Sequence, residues 1–94
     1  MRESKVESYL RKQVIANGGL IRKLEWGARR SAPDRFISLN GILLVETKAP
    51  GKKLRPDQKR EHERLRKAGV RVEVVDTLED VDNLIENITN YGGG

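Results

Sequence analysis

Residues 42–50, ILLVETKAP, constrain this chain more than any other stretch. The opening ILLV reads as a buried β-strand, and in a strand alternate residues share a face. Ile42, Leu44, Glu46 and Lys48 therefore point one way, while Leu43, Val45, Thr47 and Ala49 point the other. One row runs from two apolar residues directly into an acid and a base. An unpaired charge is costly to bury, so Glu46 and Lys48 call for partners where the strand ends.

The rest of the chain reads as a small layer structure built around that strand. Ser4-Lys5-Val6-Glu7 has the S-x-x-E form of a capping box and starts a helix. Val6, Leu10, Val14 and Asn17 continue it at helical spacing, with Tyr9 and Gln13 alongside, and Gly18-Gly19 ends it. Leu20 to Trp26 alternates as a strand does, with Leu20, Arg22, Leu24 and Trp26 on one side. Trp26 reads most simply as core, and stacking on an unpaired base is its other reading. A basic loop, GARRSAP, leads to a second strand from Asp34 to Leu39, and Asn40-Gly41 is a hairpin turn signal. After Pro50-Gly51, Pro56 suits the first turn of a helix running to Gly69. That helix is nearly all polar; its inward stripe is Gln58, His62, Leu65 and Ala68 or Gly69, so two polar side chains face the sheet. Val70 to Val75 is a short apolar strand. Thr77 caps a last amphipathic helix with Leu78, Val81, Leu84, Ile85 and Ile88 inside. Helix, three strands, helix, strand, helix predicts an α/β domain with a mixed sheet.

Ninety-four residues make one domain with a thin core, expected over 1–90 with a loose tail at 91–94. Mean hydropathy is −0.66 and 35% of residues are charged, which marks a soluble protein. No apolar run approaches the roughly 20 residues of a membrane span, and MRESKVESYL lacks a secretory core. Absence of cysteine excludes disulfides, thiolate catalysis and cysteine-based zinc sites. A single histidine, His62, argues against a zinc enzyme built on imidazoles. Any metal would be a hard cation held by oxygen, Mg²⁺ or Mn²⁺. Net charge is +5 and unevenly placed: eight Lys/Arg lie between Ala49 and Gly69, and none follows Arg71. A basic middle before an acidic end suits a polyanion approaching one side, or a solvated helix rich in charge.

Asp34 follows Pro33 at the mouth of the second strand, and the Asn40-Gly41 turn folds that strand back toward Glu46 and Lys48. Two carboxylates meeting there repel unless a cation sits between them. Mg²⁺ takes one or two carboxylates and keeps several waters. The Thr47 carbonyl is a further oxygen ligand, and Lys48 is placed to hold a water and offset charge. These are the parts needed to hydrolyse a phosphodiester. A buried structural ion pair is the other reading, although such pairs contribute little net stability.

APD at 32–34, eleven intervening residues and ETK at 46–48 resemble the PD-(D/E)xK nuclease signature. The stretch VETKAPGKKLRPDQKREHERLRKAGVRVEVV is similar, more closely, to the virus-type replication-repair nuclease (VRR-NUC) domain, of a stand-alone phage type. The resemblance runs from the Glu7 helix to the strand at Val75. It implies a restriction-endonuclease-like αβββαβ core and a metal-dependent DNA endonuclease using Mg²⁺ or Mn²⁺. Asp34 and Glu46 would be metal ligands, Lys48 catalytic, Glu7 the completing acid and Gln58 a lining residue. Glu7 also has the plainer reading of a capping-box acid. Ala32 stands where the family often has glycine.

Arg29, Arg30, Lys52, Lys53 and Arg55 flank the proposed site in sequence and are expected on DNA phosphates. The apolar residues of the last helix exceed what a small sheet covers, which predicts a homodimer. A two-fold dimer would present two sites to two strands, so branched or four-way junction DNA is the expected substrate. The resemblance agrees, and the expected location is cytoplasmic, in the host cell if the chain is phage-encoded. The competing expectations are a non-catalytic DNA-binding module and a structural subunit of a repair assembly.

Overall fold

The computed structural model describes residues 5–27 and 31–92. Its elements are α1 (Lys5–Ala16), β1 (Leu20–Lys23), β2 (Arg35–Ser38), β3 (Ile42–Thr47), α2 (Pro56–Lys67), β4 (Val72–Val75) and α3 (Leu78–Gly92). The strands form one sheet in the order β1-β2-β3-β4, antiparallel across the first two pairings and parallel across the last. The α/β class, the element order and the mixed sheet are those expected.

The β2–β3 hairpin sets the register on which the site depends. Ser38 pairs with Ile42 and Arg35 with Val45, so one further step sets Asp34 opposite Glu46. Leu39, Asn40 and Gly41 make the turn, with φ of 52° at Asn40 and 128° at Gly41. Asn and Gly are the residues that enter this left-handed region at least cost.

Strand alternation then sorts the two faces. Ile21, Ile37, Leu43, Val45 and Val75 join Val6, Leu10 and Val14 of α1 and Val81, Leu84, Ile85 and Ile88 of α3 in the main core. Each fully buried aliphatic there contributes about 1.5–3 kcal/mol relative to exposure. The opposite face carries Leu44, Glu46 and Val72, all buried, with α2 above them. Gly19 is required by close approach: a Cβ there would stand 2.9 Å from the Ser38 carbonyl oxygen and 2.9 Å from Val14 Cγ1.

Several elements differ from expectation. β1 stops at Lys23, and Asn17 is exposed rather than inward. Trp26 is not core: it is 38% exposed, because the chain beyond β1 runs along the sheet edge, with the Leu24 amide donating to the Asp34 carbonyl at 2.9 Å. On α2, Ala68 and Gly69 are exposed and Glu61 is buried beside Gln58 and His62, since the helix ends at Lys67 and Gly69 takes the left-handed φ of 97° that follows a helix C-terminus. Leu78, at the first position of α3, is 46% exposed. The other four apolar residues of α3 lie in the chain's own core, so the surplus expected to attract a partner is not there. α3 also continues to Gly92, two residues into the expected tail. Ser4, half of the expected capping box, lies outside the described residues. Among the described residues no helix is long and apolar enough to cross a membrane.

Candidate functional site

Asp34 leaves the end of β2 half-buried, and its carboxylate is held by the strand opposite. The Thr47 amide donates to Oδ1 at 3.2 Å and the Thr47 hydroxyl to Oδ2 at 3.1 Å. Thr47 thus spends both its backbone and its side-chain donor on orienting Asp34. The Arg35 guanidinium completes the grip, with Nη1 3.2 Å from Oδ2.

Sequence reasoning misses Arg35, although it shares its row with Ile37 and Leu39 and so breaks a core-facing face as Glu46 does. It is buried, and its Nε donates to Glu7 Oε2 at 2.9 Å. Glu7, also buried, accepts from Arg11 Nη2 at 2.9 Å as well. The helix glutamate is therefore linked to Asp34 through an arginine. Among the described residues no three acidic or imidazole side chains gather as one metal cluster.

Glu46 lies on the opposite face from Val45 and Thr47, beneath α2. Its Oε1 is buried without a hydrogen-bond partner. Burial, and then the charge of Asp34, push its carboxyl up to about 7, while Lys48, Arg55 and Arg35 pull the other way. Two carboxylates on adjacent strands, one of them desolvated and short of a partner, are held at the cost of ionisation. Lys48 is half-buried one residue beyond Thr47; its amide donates to the Val75 carbonyl at 2.9 Å, which anchors the end of β3 to β4.

His62 is fully buried on α2, with Nε2 3.6 Å from Glu46 Oε1. Burial, then the Arg66 charge, lower its pKa and keep the imidazole neutral at neutral pH. Gln58, one turn earlier, is buried, and its Oε1 accepts the Arg55 amide at 3.0 Å. That bond ties the start of α2 to the loop carrying Lys52, Lys53 and Arg55, all exposed. Arg55 pairs with Asp57 at 3.1 Å. Arg29 and Arg30 lie outside the described residues.

The donor set suits a hard divalent cation. Asp34, Glu46 and the Thr47 carbonyl offer oxygen donors of the kind such a cation takes, one or two carboxylates are what Mg²⁺ ordinarily takes from a protein, and Glu46 Oε1 is buried without a hydrogen-bond partner.

Comparison with known proteins identifies the family. The VRR-NUC domain family description matches residues 25–78, a span that holds Asp34, Glu46, Lys48, Gln58 and His62. The chain is 41% identical over 87 residues to "Putative nuclease p44" of Acyrthosiphon pisum secondary endosymbiont phage 1, covering 90% of this chain and 92% of that one. A solved structure described as "VRR_NUC domain" superposes with a TM-score of 0.80 at 45% identity, over 87% of this chain and 91% of that one. A second, "VRR_NUC domain protein", shares the fold with a TM-score of 0.67 at 17% identity, over 96% and 92%. With its motif span matched, a phage relative aligned along nearly its whole length and the fold superposed, the chain belongs to the VRR-NUC family.

Proposed function

We propose that the chain is a metal-dependent DNA endonuclease that hydrolyses phosphodiester bonds. The observation that carries this reading is the pairing of Asp34 with a Glu46 carboxyl that is desolvated, raised to about 7 and short of a partner. Neither a DNA-holding module nor a structural subunit of a repair assembly has a use for two carboxylates forced together beside a lysine. The family, and a phage relative whose name is that of a nuclease, support the same reading.

Asp34, Glu46 and the Thr47 carbonyl would hold Mg²⁺ or Mn²⁺. Such a cation, when bound, acidifies water and offsets phosphate charge. The chain's own groups do the rest. Thr47 and Arg35 orient Asp34, Glu7 holds Arg35 from α1, and Gln58 steadies the approach loop while lining the site. Lys48 orients the attacking water and balances the charge that builds on the phosphate oxygens. Lys52, Lys53 and Arg55, with Arg29 and Arg30, grip neighbouring phosphates.

Cutting a four-way junction takes two sites, so junction cleavage goes with a two-fold homodimer acting in the host cytoplasm. α3 does not supply its surface; Leu20 and Ile42, which flank Ser38 in one cross-strand row, remain exposed. The test is purified protein with labelled linear, flap and four-way DNA in Mg²⁺, Mn²⁺ or EDTA. Asp34→Ala and Glu46→Ala should abolish metal-dependent cleavage and retain DNA binding. Cleavage by both variants refutes the site. Equal cutting of linear duplex and junction refutes the preference, and a monomer in light scattering refutes the dimer.

A further inference from the structure

Three buried polar atoms without a hydrogen-bond partner meet at one place: Glu46 Oε1 and both ring nitrogens of His62. Buried polar groups are rarely left so, because each carries its full desolvation cost. From this convergence we infer that His62 is a positioning residue for Glu46, its Nε2–H taking one lone pair of Oε1, leaving the other for the cation, and setting the carboxylate that faces Asp34. The inference rests on the metal-dependent reading above.

The tautomer follows from the surroundings. A neutral imidazole has one donor and one acceptor nitrogen. With the proton on Nδ1, the Nε2 lone pair would face the Glu46 oxygen and an N–H would be buried without an acceptor. With the proton on Nε2, the donor meets a carboxylate and only an acceptor remains. The 3.6 Å separation is about half an ångström beyond a good N–H···O bond, within reach of a small side-chain rotation.

Among the described residues no other group hydrogen-bonds the ring. Arg66 donates to the Val72 carbonyl at 2.9 Å and 3.3 Å. Glu61 is paired with Arg64 at 3.1 Å. Lys48 and Arg66 are near enough for their charges to bear on His62, but both are donors only and cannot accept the ring N–H. The sheet beneath α2 offers Leu44 and Val72, both buried, against which leucine would pack as well as histidine. The polar ring therefore answers to Glu46. It sits on a helix whose start is tied down by Gln58, so it offers Glu46 a rigid donor rather than a mobile one.

The test compares wild type, His62→Leu (no donor, similar bulk) and His62→Gln (a retained N–H donor). His62→Met serves as a second donorless variant should the leucine chain not fold. Thermal melts without DNA, titrated with MgCl₂ and MnCl₂, read metal binding apart from activity; cleavage kinetics follow. The donorless variant should need about 10–100-fold more Mg²⁺ for half its stabilisation, as is usual when a ligand's supporting hydrogen bond is removed. Its kcat should fall while KM for DNA holds, and the glutamine variant should recover much of the metal response. A donorless variant with the wild-type metal midpoint, or a glutamine variant no better than leucine, overturns the role of His62 and leaves the nuclease reading intact. A wild type that neither gains stability from the metals nor cleaves DNA overturns both.

Discussion

Glu46→Gln should make the metal-free protein more stable while abolishing its cleavage. Burial and Asp34 raise the Glu46 carboxyl from 4.5 to about 7 in the folded chain. A raised pKa means that the folded state favours the proton, so Glu46 contributes most stability below about pH 4.5 and loses it as pH rises through about 7. At about 1.4 kcal/mol per unit the full shift corresponds to roughly 3 kcal/mol; partial hydration of the cleft leaves about 1–3 kcal/mol. Glutamine carries no charge at any pH and escapes that loss. In EDTA the variant should therefore melt above wild type at about pH 8, by roughly 4–8 °C for each kcal/mol in a domain this size. The gap should shrink toward zero at about pH 4.5, where wild-type Glu46 is protonated. Excess Mg²⁺ should close or reverse it at the higher pH, because the cation binds the carboxylate and stabilises only wild type. Circular dichroism melts across pH, with and without Mg²⁺, provide the assay. Equal melting temperatures at about pH 8 in EDTA, or a gap that does not change with pH, would refute the view that Glu46 is held ionised at a cost.

Arg35→Met removes the guanidinium shared by Glu7 and Asp34; breaking a buried pair on one side should cost roughly 3–5 kcal/mol, read by urea unfolding, and a loss under about 1 kcal/mol would count against the network. Lys52→Gln with Lys53→Gln should weaken duplex binding at all sequences alike and flatten the log–log salt slope by about 0.9 for each phosphate no longer neutralised; an unchanged slope would place the DNA elsewhere. Gly19→Ala forces a Cβ toward the Ser38 carbonyl oxygen and Val14 and should destabilise by about 1–3 kcal/mol, with a neutral result showing that the α1–β1 turn yields.

Periodicity is a good guide wherever a residue's neighbours are close in sequence. The alternation of ILLVET separates the main-core row, Leu43 and Val45, from the row ending in Glu46, and Asn40-Gly41 aligns Asp34 with it. The covering of one sheet face follows from that alternation together with the apolar stripes of α1 and α3. Arg35 is legible by the same rule that exposes Glu46, yet an arginine amid a basic chain draws less notice than an acid does. His62 can be placed on the inward stripe of α2, but its approach to Glu46 depends on how the helix lies across the sheet, which local spacing does not encode. The α3 surplus fails for a related reason: amphipathicity counts apolar residues without showing how much of them a neighbouring helix covers, and α1 shares that core. Strand parity assigns Trp26 to the core, and parity lapses once β1 ends at Lys23.

That tryptophan is the only one in the chain, and its indole Nε1 donates to the Pro33 carbonyl at 2.7 Å, immediately before Asp34. A part-exposed indole tied to the residue that precedes a candidate ligand makes a built-in optical gauge. Its emission, free of interference from any second indole, should shift when cation or DNA arrives at Asp34, and stay level when either is added to Asp34→Ala in place of wild type. Binding and chemistry can then be followed separately in one cuvette, without attaching a label to a protein that has no cysteine to carry one.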